Sequence, residues 1–395
     1  MTSIVYPTTN LKHVEQLNIV RGDGVYVYDD SGKEYLEGLA GLWCASLGYG
    51  NAELIEAITD QLKTLSYSHM FGGRTHNVVI QLAEQLSDML PVKNSKIFFA
   101  NSGSEANDSH IKMLRYYFNV TGEPQKKKII ALERSYHGVT VASAALTGLP
   151  ANHTHFDLPV DALGVIRAES PHYYRGRKDN ETEREFCERI IGNLEDLILR
   201  ENPETIAAFV AEPIGGASGV VVAPENYFPE VENLLTKYDI MLWSDEVICG
   251  FGRTGSPFGC QTMGFNPQLV SLAKQLSSAY LPISASVIPE YMHEAMIEPS
   301  SKVGVFGHGY TYTGHPAACA AALKTLEIYK RDDLFEHAAE MGEYLQTRLK
   351  EFDSHPLVGE VRGRGLLAAV ELVANKHSGE AFNDTSVGAY AKQAC

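Results

Sequence analysis

Five short apolar runs in the chain each end in polar or reactive side chains, and a lysine closes the last of them. Leu269-Val270-Ser271-Leu272-Ala273 carries Lys274 to a point where the chain is expected to be buried. An ammonium there is costly, so the residue either snorkels to solvent on its apolar stem or is reactive. Ile240-Met241-Leu242-Trp243 runs on to Asp245, which is expected to be partly buried and to need a cationic partner. Lys96-Ile97-Phe98-Phe99-Ala100 leads into Asn101-Ser102-Gly103-Ser104-Glu105 and a helix bearing Ala106, Ile111, Leu114 and Phe118. Ser102 and Glu105 have the spacing of a capping box, which accounts for a well-made helix start. A strand, a Gly/Ser turn and a helix N-terminus also make an anion site, and the two readings are compatible. The remaining runs, 128–132 and 206–211, end at Ser135-Tyr136-His137-Gly138 and at Glu212-Pro213.

These groups fit one chemistry. A heterocyclic cation held between Asp245 and Lys274 satisfies both side chains. An aspartate against a pyridinium nitrogen, a lysine as imine partner and a helix N-terminus for a phosphate are what pyridoxal phosphate requires. Tyr136 offers a face on which such a ring could stack. Gly250-Phe251-Gly252-Arg253-Thr254-Gly255 matches G-x-G-x-x-G, but Ser256-Pro257-Phe258-Gly259 follows it instead of a helix, which argues against a nicotinamide or flavin site. Neither a P-loop nor a G-x-S-x-G elbow occurs.

The elements that must position these residues alternate helices with short strands. Gly24 to Asp29 alternates as a strand, with Asp30-Ser31-Gly32 turning into a second, and Gly41 to Gly50 reads as a glycine-rich loop. Asn51 caps a helix with Leu54, Ile55, Ile58 and Leu62 on one face, and Val78, Val79, Leu82, Leu86 and Met89 mark another. The five runs are mostly separated by room for a crossover helix, such as 230–237, which predicts an α/β architecture with a mostly parallel sheet covered on both faces. Ligands of open parallel sheets bind beyond the carboxyl ends of the strands, so the five polar clusters are expected to share one crevice. Residues 316–329 and 334–349 read as helices and 361–372 as one strand. The expected division is an N-terminal arm and hairpin over 1–50, a large domain over 51–290 and a C-terminal small domain over 291–395.

Composition restricts the function classes. Hydrophobic content of 44%, charge of 21% and a net charge of −16 describe an ordinary globular chain and disfavour nucleic-acid binding. Six scattered cysteines without a CxxC pair or a metal-ligand partner read as reduced thiols, and no metal site is expected. Met1 to Pro7 lacks the features of a signal peptide and no run reaches membrane-spanning length, so a cytoplasmic protein without membrane partners is expected.

Ser102 to Asp108, Tyr136-His137-Gly138, Glu212-Pro213, Asp245 to Arg253, Ala273-Lys274 and His308 to Pro316 follow one another in an order that resembles the class III, or omega, aminotransferases. The likeness extends over nearly the whole chain and is closest to the amine- and omega-amino-acid:pyruvate branch, for which Gly41 to Gly48 and Gln275 to Pro282 are typical. The resemblance implies a pyridoxal-phosphate fold type I homodimer, or a higher homo-oligomer, with active sites at the subunit interface. Its small α+β domain would be built from both chain ends. It implies that Lys274 carries the cofactor covalently and shuttles a proton, and that Asp245 keeps the pyridine nitrogen protonated. Tyr136 and Val247 would sandwich the ring, Glu212 would support the network, and Ser102, Gly103 and Ser104 would form the phosphate site. Thr311, with Tyr310 beside it, would reach the phosphate of the neighbouring subunit, and Trp43 would line the substrate pocket. The implied reaction is ping-pong transfer from a primary amine or omega-amino acid to pyruvate or another small oxo acid. An epimerase or aminomutase of the same fold, a catalytically impaired form and a non-catalytic binding subunit are the alternatives.

The chain departs from the family pattern in three places. His69-Met70-Phe71-Gly72-Gly73-Arg74 offers Phe71 and then glycine where relatives have a second large aromatic, so Gly72 is expected to enlarge the substrate pocket. Pro267-Gln268 replaces an acidic residue after the proline, to which little weight attaches. An amphipathic helix starting at Asp384, with Val387, Tyr390 and Ala391, runs to Cys395 without a C-cap. In relatives the segment beyond completes the small domain and carries an arginine for the substrate carboxylate. Arg362 and Arg364 belong to another motif and are not candidates for that role.

Overall fold

The computed structural model describes residues 3–383 and 387–394. Its centre is a seven-stranded sheet built from β4 (Lys96–Ala100), β5 (Lys128–Leu132), β6 (Val165–Ala168), β7 (Ile206–Ala211), β10 (Met241–Asp245), β11 (Leu269–Leu272) and β12 (Ser284–Ile288). The order is β4-β12-β11-β10-β7-β5-β6. Strands β6, β5, β7, β10 and β11 pair in parallel, and β12 runs antiparallel to both β11 and β4. Every residue of β7 is buried, as expected for a central parallel strand covered by helices on both faces.

The five expected strands are present, and two were not anticipated. β6 is a short edge strand interrupted by Arg167, and β12 reads Ser284-Ala285-Ser286-Val287-Ile288, whose serines mask an otherwise fully buried strand. Ser286 Oγ donates to the Ala106 carbonyl at 2.8 Å, which is how the hydroxyl is tolerated in the core.

At the N-terminus, β1 (Ile19–Asp23), β2 (Tyr26–Asp29) and β3 (Glu34–Leu36) form a three-stranded antiparallel sheet, one strand more than the expected hairpin. Asp29 fixes its turn by accepting from Ser31 N, Ser31 Oγ and Lys33 N. β8 (Ile214–Gly215) and β9 (Val221–Val222) make a small ribbon. The run 361–372 is two strands instead of one. β13 (Val358–Arg364) and β14 (Leu367–Leu372) pair antiparallel about Gly365, whose φ of +54° permits the turn. The C-terminal helix spans Val387–Ala394; Asp384 and Cys395 lie outside the described residues.

One close approach ties the hairpin to the rest. The helix Leu334–Leu349 crosses the β13–β14 turn at Gly342, where a Cβ would stand 2.5 Å from the Gly365 Cα, and a Cβ on Gly365 would stand 2.5 Å from the Thr254 carbonyl carbon. Gln346 Nε2 donates to both the Gly365 and Leu367 carbonyls at 2.9 Å. Helix, hairpin and the loop 250–255 therefore meet without room for a side chain. Gly342→Ala is expected to cost about 1–3 kcal/mol of stability through overpacking. Urea unfolding followed by circular dichroism checks this, and an unchanged midpoint would show that the contact relaxes freely.

Candidate active site

Four of the polar clusters beyond the strand ends form one hydrogen-bonded network, and Lys274 from the fifth stands within its electrostatic reach. Asp245, at the end of β10, is buried. Its Oδ2 accepts from Asn107 Nδ2 and His137 Nδ1, each at 2.9 Å, and its Oδ1 from Val247 N at 3.2 Å. Burial works against its charge, but the His137 ring, Asn107 and the Val247 amide outweigh it and hold the carboxyl below its ordinary range. Asn107 Nδ2 also donates to the His137 carbonyl at 2.6 Å, so one amide group fixes both partners.

Lys274 follows β11 with a φ of +48°, in the left-handed region that a non-glycine residue enters at a cost of about 1 kcal/mol. Burial lowers the pKa of its ammonium, and the charges of Asp245 and Glu212 offset only part of that shift. Glu212, after β7, is buried, and accepts from Tyr136 N and Gly216 N at 2.9 Å each. Burial and the Asp245 charge push its carboxyl up to about 7, against the pull of His137 and the two amides. By holding the Tyr136 backbone, Glu212 sets the position of that ring, whose phenol is raised by burial and by the charges of Asp245 and Glu212.

At the helix Gly103–Val120, Ser102 Oγ accepts from Glu105 N at 3.2 Å. The return half of the expected capping box is displaced by one residue, because Glu105 Oε2 takes Asn101 N and Asn101 Nδ2. The amides of Gly103 and Ser104, first in the helix, are left for an anion. A Cβ on Gly103 would meet the Val247 methyls at 3.0 Å, so a side chain there would narrow the space between the helix start and Val247. Ser104 Oγ accepts from Val139 N at 3.0 Å, and Gly138, at φ +127°, leaves no room for a Cβ beside it.

The donor set suits pyridoxal phosphate. Asp245 Oδ1 keeps a lone pair beyond its one amide donor, the lysine is desolvated, and the helix start offers amides to a phosphate.

Not every expected site residue joins this group. Trp43, at φ +54°, is half-buried against the core. Phe71 and Gly72 are exposed, with nothing within 4 Å of a Cβ at Gly72. A Cβ on Gly309 would lie 3.2 Å from the Phe71 ring, and Tyr67 Oη donates to the Thr311 carbonyl at 2.9 Å, so Phe71 and Thr311 belong to one surface. Tyr310 reaches inward from that surface, its hydroxyl donating to the Glu105 carbonyl at 3.2 Å. No hydrogen bond among the described residues connects Phe71, Gly72 or Thr311 to Lys274 or Asp245.

Asn107 and His137 carry no expected role in the sequence, although Asn107 has a legible signal. It falls on the apolar stripe of its helix with Ile111 and Leu114, where an amide demands a buried partner.

A second cluster, His172 with Glu360 and Glu371, brings one nitrogen and two oxygens within 4.8 Å. Arg362 Nη1 lies on the same oxygens, at 2.7 and 2.5 Å, and Arg175 Nε takes the other oxygen of Glu371 at 2.5 Å. Two guanidiniums already balance two carboxylates, so the cluster is an ion-pair strut. Arg362 also donates from Nε to the Gly219 carbonyl, tying the β13–β14 hairpin to the loop between β8 and β9.

The Glu212 shift has a consequence for stability. The native state keeps this proton to about 7, whereas the unfolded chain releases it near 4.5. Stability from this group is therefore greatest below the lower value and falls as pH rises to the upper one. Comparing urea midpoints of the wild type and Glu212→Gln at about pH 5 and about pH 7.5 tests the sign. The difference should move in favour of the variant at the higher pH, and a constant difference would contradict the shift.

Comparison with known proteins agrees with the chemistry of the site. The family model for aminotransferase class-III matches residues 8–390. A gamma aminobutyrate transaminase 3 from Solanum lycopersicum is 47% identical over 97% of this chain and 74% of its own length. A vanillin aminotransferase from Capsicum chinense is 47% identical over 97% and 83%. The omega transaminase of Pseudomonas jessenii, solved in complex with PMP, superposes with a TM-score of 0.95 at 48% identity, covering 97% of this chain and 85% of that one. With its α/β sheet of fold type I, the chain belongs to the class III aminotransferases and is an enzyme that uses pyridoxal phosphate.

Proposed function

We propose that this transaminase moves an amino group from a primary amine or omega-amino acid to pyruvate or a similar small oxo acid in a ping-pong cycle. The observation that carries the reading is the pair at the sheet edge: a strained, desolvated Lys274 beside an Asp245 whose charge three donors hold. Pyridoxal phosphate, when bound, supplies an electron sink for the carbon that carries the amine. Lys274 Nζ, made less basic by burial, would take the proton from that carbon. Asp245, held ionised, would keep the ring nitrogen protonated, Tyr136 and Val247 would confine the ring, and Gly103 with Ser104 would hold the phosphate.

Trp43 lines the substrate side. Thr311 and Phe71 share an exposed surface with Tyr312, which is 58% exposed. We assign that surface to a second copy of the chain, so that Thr311 and Tyr310 serve the neighbouring site and Gly72 widens it for bulkier amines. The five free cysteines among the described residues, four of them buried, suit a reducing compartment such as the cytoplasm.

Incubating the loaded enzyme with 4-aminobutyrate or an arylalkylamine and pyruvate, and measuring alanine by chromatography, tests the reaction. Alanine should form in step with donor loss, should be absent with Lys274→Ala, and should fall about a hundredfold or more with Asp245→Asn. Turnover of an amino acid without alanine formation would replace this reading by an epimerase or aminomutase.

A further inference from the structure

The turn that carries Lys274 is fastened to the loop that carries Trp43, and neither the cofactor site nor the subunit surface accounts for the fastening. Leu47 N donates to Ser278 Oγ at 2.8 Å, and Ser46 Oγ donates to Gln275 Oε1 at 3.3 Å. Tyr280 Oη takes two groups at the far end of the loop, accepting from Asn51 N at 2.7 Å and donating to the Gly48 carbonyl at 3.1 Å. These partners are 229 to 232 residues apart in sequence, so the fold and not the local chain brings them together.

Each segment is held in a backbone it does not favour alone. Ala40 and Trp43 have φ of +51° and +54°, and Lys274, Ser278 and Ala279 have φ of +48°, +48° and +63°. Side chains persist in the left-handed region where surrounding contacts over-determine them. Here the support is mutual, because the lysine turn supplies Gln275, Ser278 and Tyr280 and the loop supplies mostly backbone groups.

Other anchors hold the outer ends. Gly24 and Tyr49 exchange backbone hydrogen bonds at 3.0 and 2.8 Å, and Asn51 Oδ1 caps the helix Ala52–Thr64 by accepting from Leu54 N at 3.1 Å. Gln275 Nε2 donates to the Ile248 carbonyl at 2.8 Å, which joins the lysine turn to the turn after Asp245. Between Trp43 and Leu47, the hydrogen bonds that leave the loop run to Ser278 and Gln275 among the described residues. Cys44, beside Trp43, lies close enough to Lys274 to act on its titration. The loop therefore borders the reactive amine, and its position sets the space beside it.

We propose that Ser278 and Tyr280 are positioning residues, which fix the Trp43 loop beside Lys274 and so set the size of amine donor that the site takes. The assignment rests on the transaminase reading, with Trp43 as a wall of the pocket. Ser278 is 1% exposed and its hydroxyl oxygen is occupied by Leu47 N, so it acts through the loop and not on the donor. A loop released from these bonds grips a small donor less well and excludes a large one less strictly.

The test uses the pyridoxal-phosphate-loaded enzyme without an acceptor, following loss of the imine band as benzylamine or the bulkier α-propylbenzylamine is added. Ser278→Ala and Tyr280→Phe should each raise the half-saturating concentration of benzylamine about fivefold, the size of one lost hydrogen bond, and that of α-propylbenzylamine by less. The limiting rate should change less than about twofold and the band should keep its wavelength, because Lys274 is untouched. The chain has two tryptophans, Trp43 and the fully buried Trp243, so acrylamide quenching of the emission reports Trp43 and should increase in both variants. Ile198→Val, a core truncation in the helix Glu183–Glu201, should leave the preference between the two donors unchanged. Tyr280→Phe keeps the ring and decides the matter if Ser278→Ala fails to fold. Equal half-saturation in the wild type and both variants, or the same change in Ile198→Val, overturns the assignment while the proposed function stands. A wild type whose band no amine removes fails the proposed function, and the assignment with it.

Discussion

The structure depends on keeping one negative charge where water does not reach. Asp245 is buried at the centre of the sheet edge, and a lone carboxylate there would take up a proton. Three donors prevent it, and they come from three segments: Asn107 from the helix after β4, His137 from the turn after β5 and Val247 from its own turn after β10. The parallel order of β5, β7, β10 and β11 is what brings those turns to one edge. The adjacent acid shows what the donors achieve. Glu246 is equally buried and accepts from Gly259 N, Cys260 N and Ser244 Oγ, yet desolvation wins and its carboxyl is raised. Neighbours in sequence thus differ because one faces an imidazole and the other only neutral groups.

That charge gives Lys274 its setting. Burial makes the lysine a weaker base, and Asp245 with Glu212 keeps the shift within bounds. A lysine made less basic in this way gives up its proton more readily than an exposed lysine does. The left-handed backbone at Lys274, followed by Ser278 and Ala279 in the same region, places strain on the segment that must present the amine. The surrounding β-strands, buried on both faces, are rigid enough to hold it.

Much of this could be read in the chain. The runs 96–100, 128–132, 206–211 and 269–273 were legible because buried parallel strands are continuous apolar stretches, and the polar residues after them were legible because ligands collect at that edge. β12 was not, because Ser284 and Ser286 look like loop residues until Ala106 is seen to accept a hydroxyl. The β13–β14 turn was missed because Arg-Gly-Arg-Gly-Leu carries no proline or asparagine to mark it, and only the backbone reveals Gly365 in the left-handed region. Lys274 and Asp245 were visible as costs that needed an explanation. His137, by contrast, looked like part of a motif with no stated task. Its backbone is held by the Thr147 hydroxyl, which accepts from its amide, and by Asn107, which donates to its carbonyl, contacts 10 and 30 residues away in sequence. Phe71 and Thr311 were named as site residues from resemblance alone, and the single chain leaves them on its surface.

The most direct measurement is an absorbance spectrum of the purified chain with pyridoxal phosphate, before and after an amine donor, alongside Lys274→Ala. The account predicts an imine band in the wild type that the donor removes and that the variant lacks. A wild type without such a band, or a variant with the same band, would contradict the claim that Lys274 beside Asp245 is the chemical centre of this enzyme.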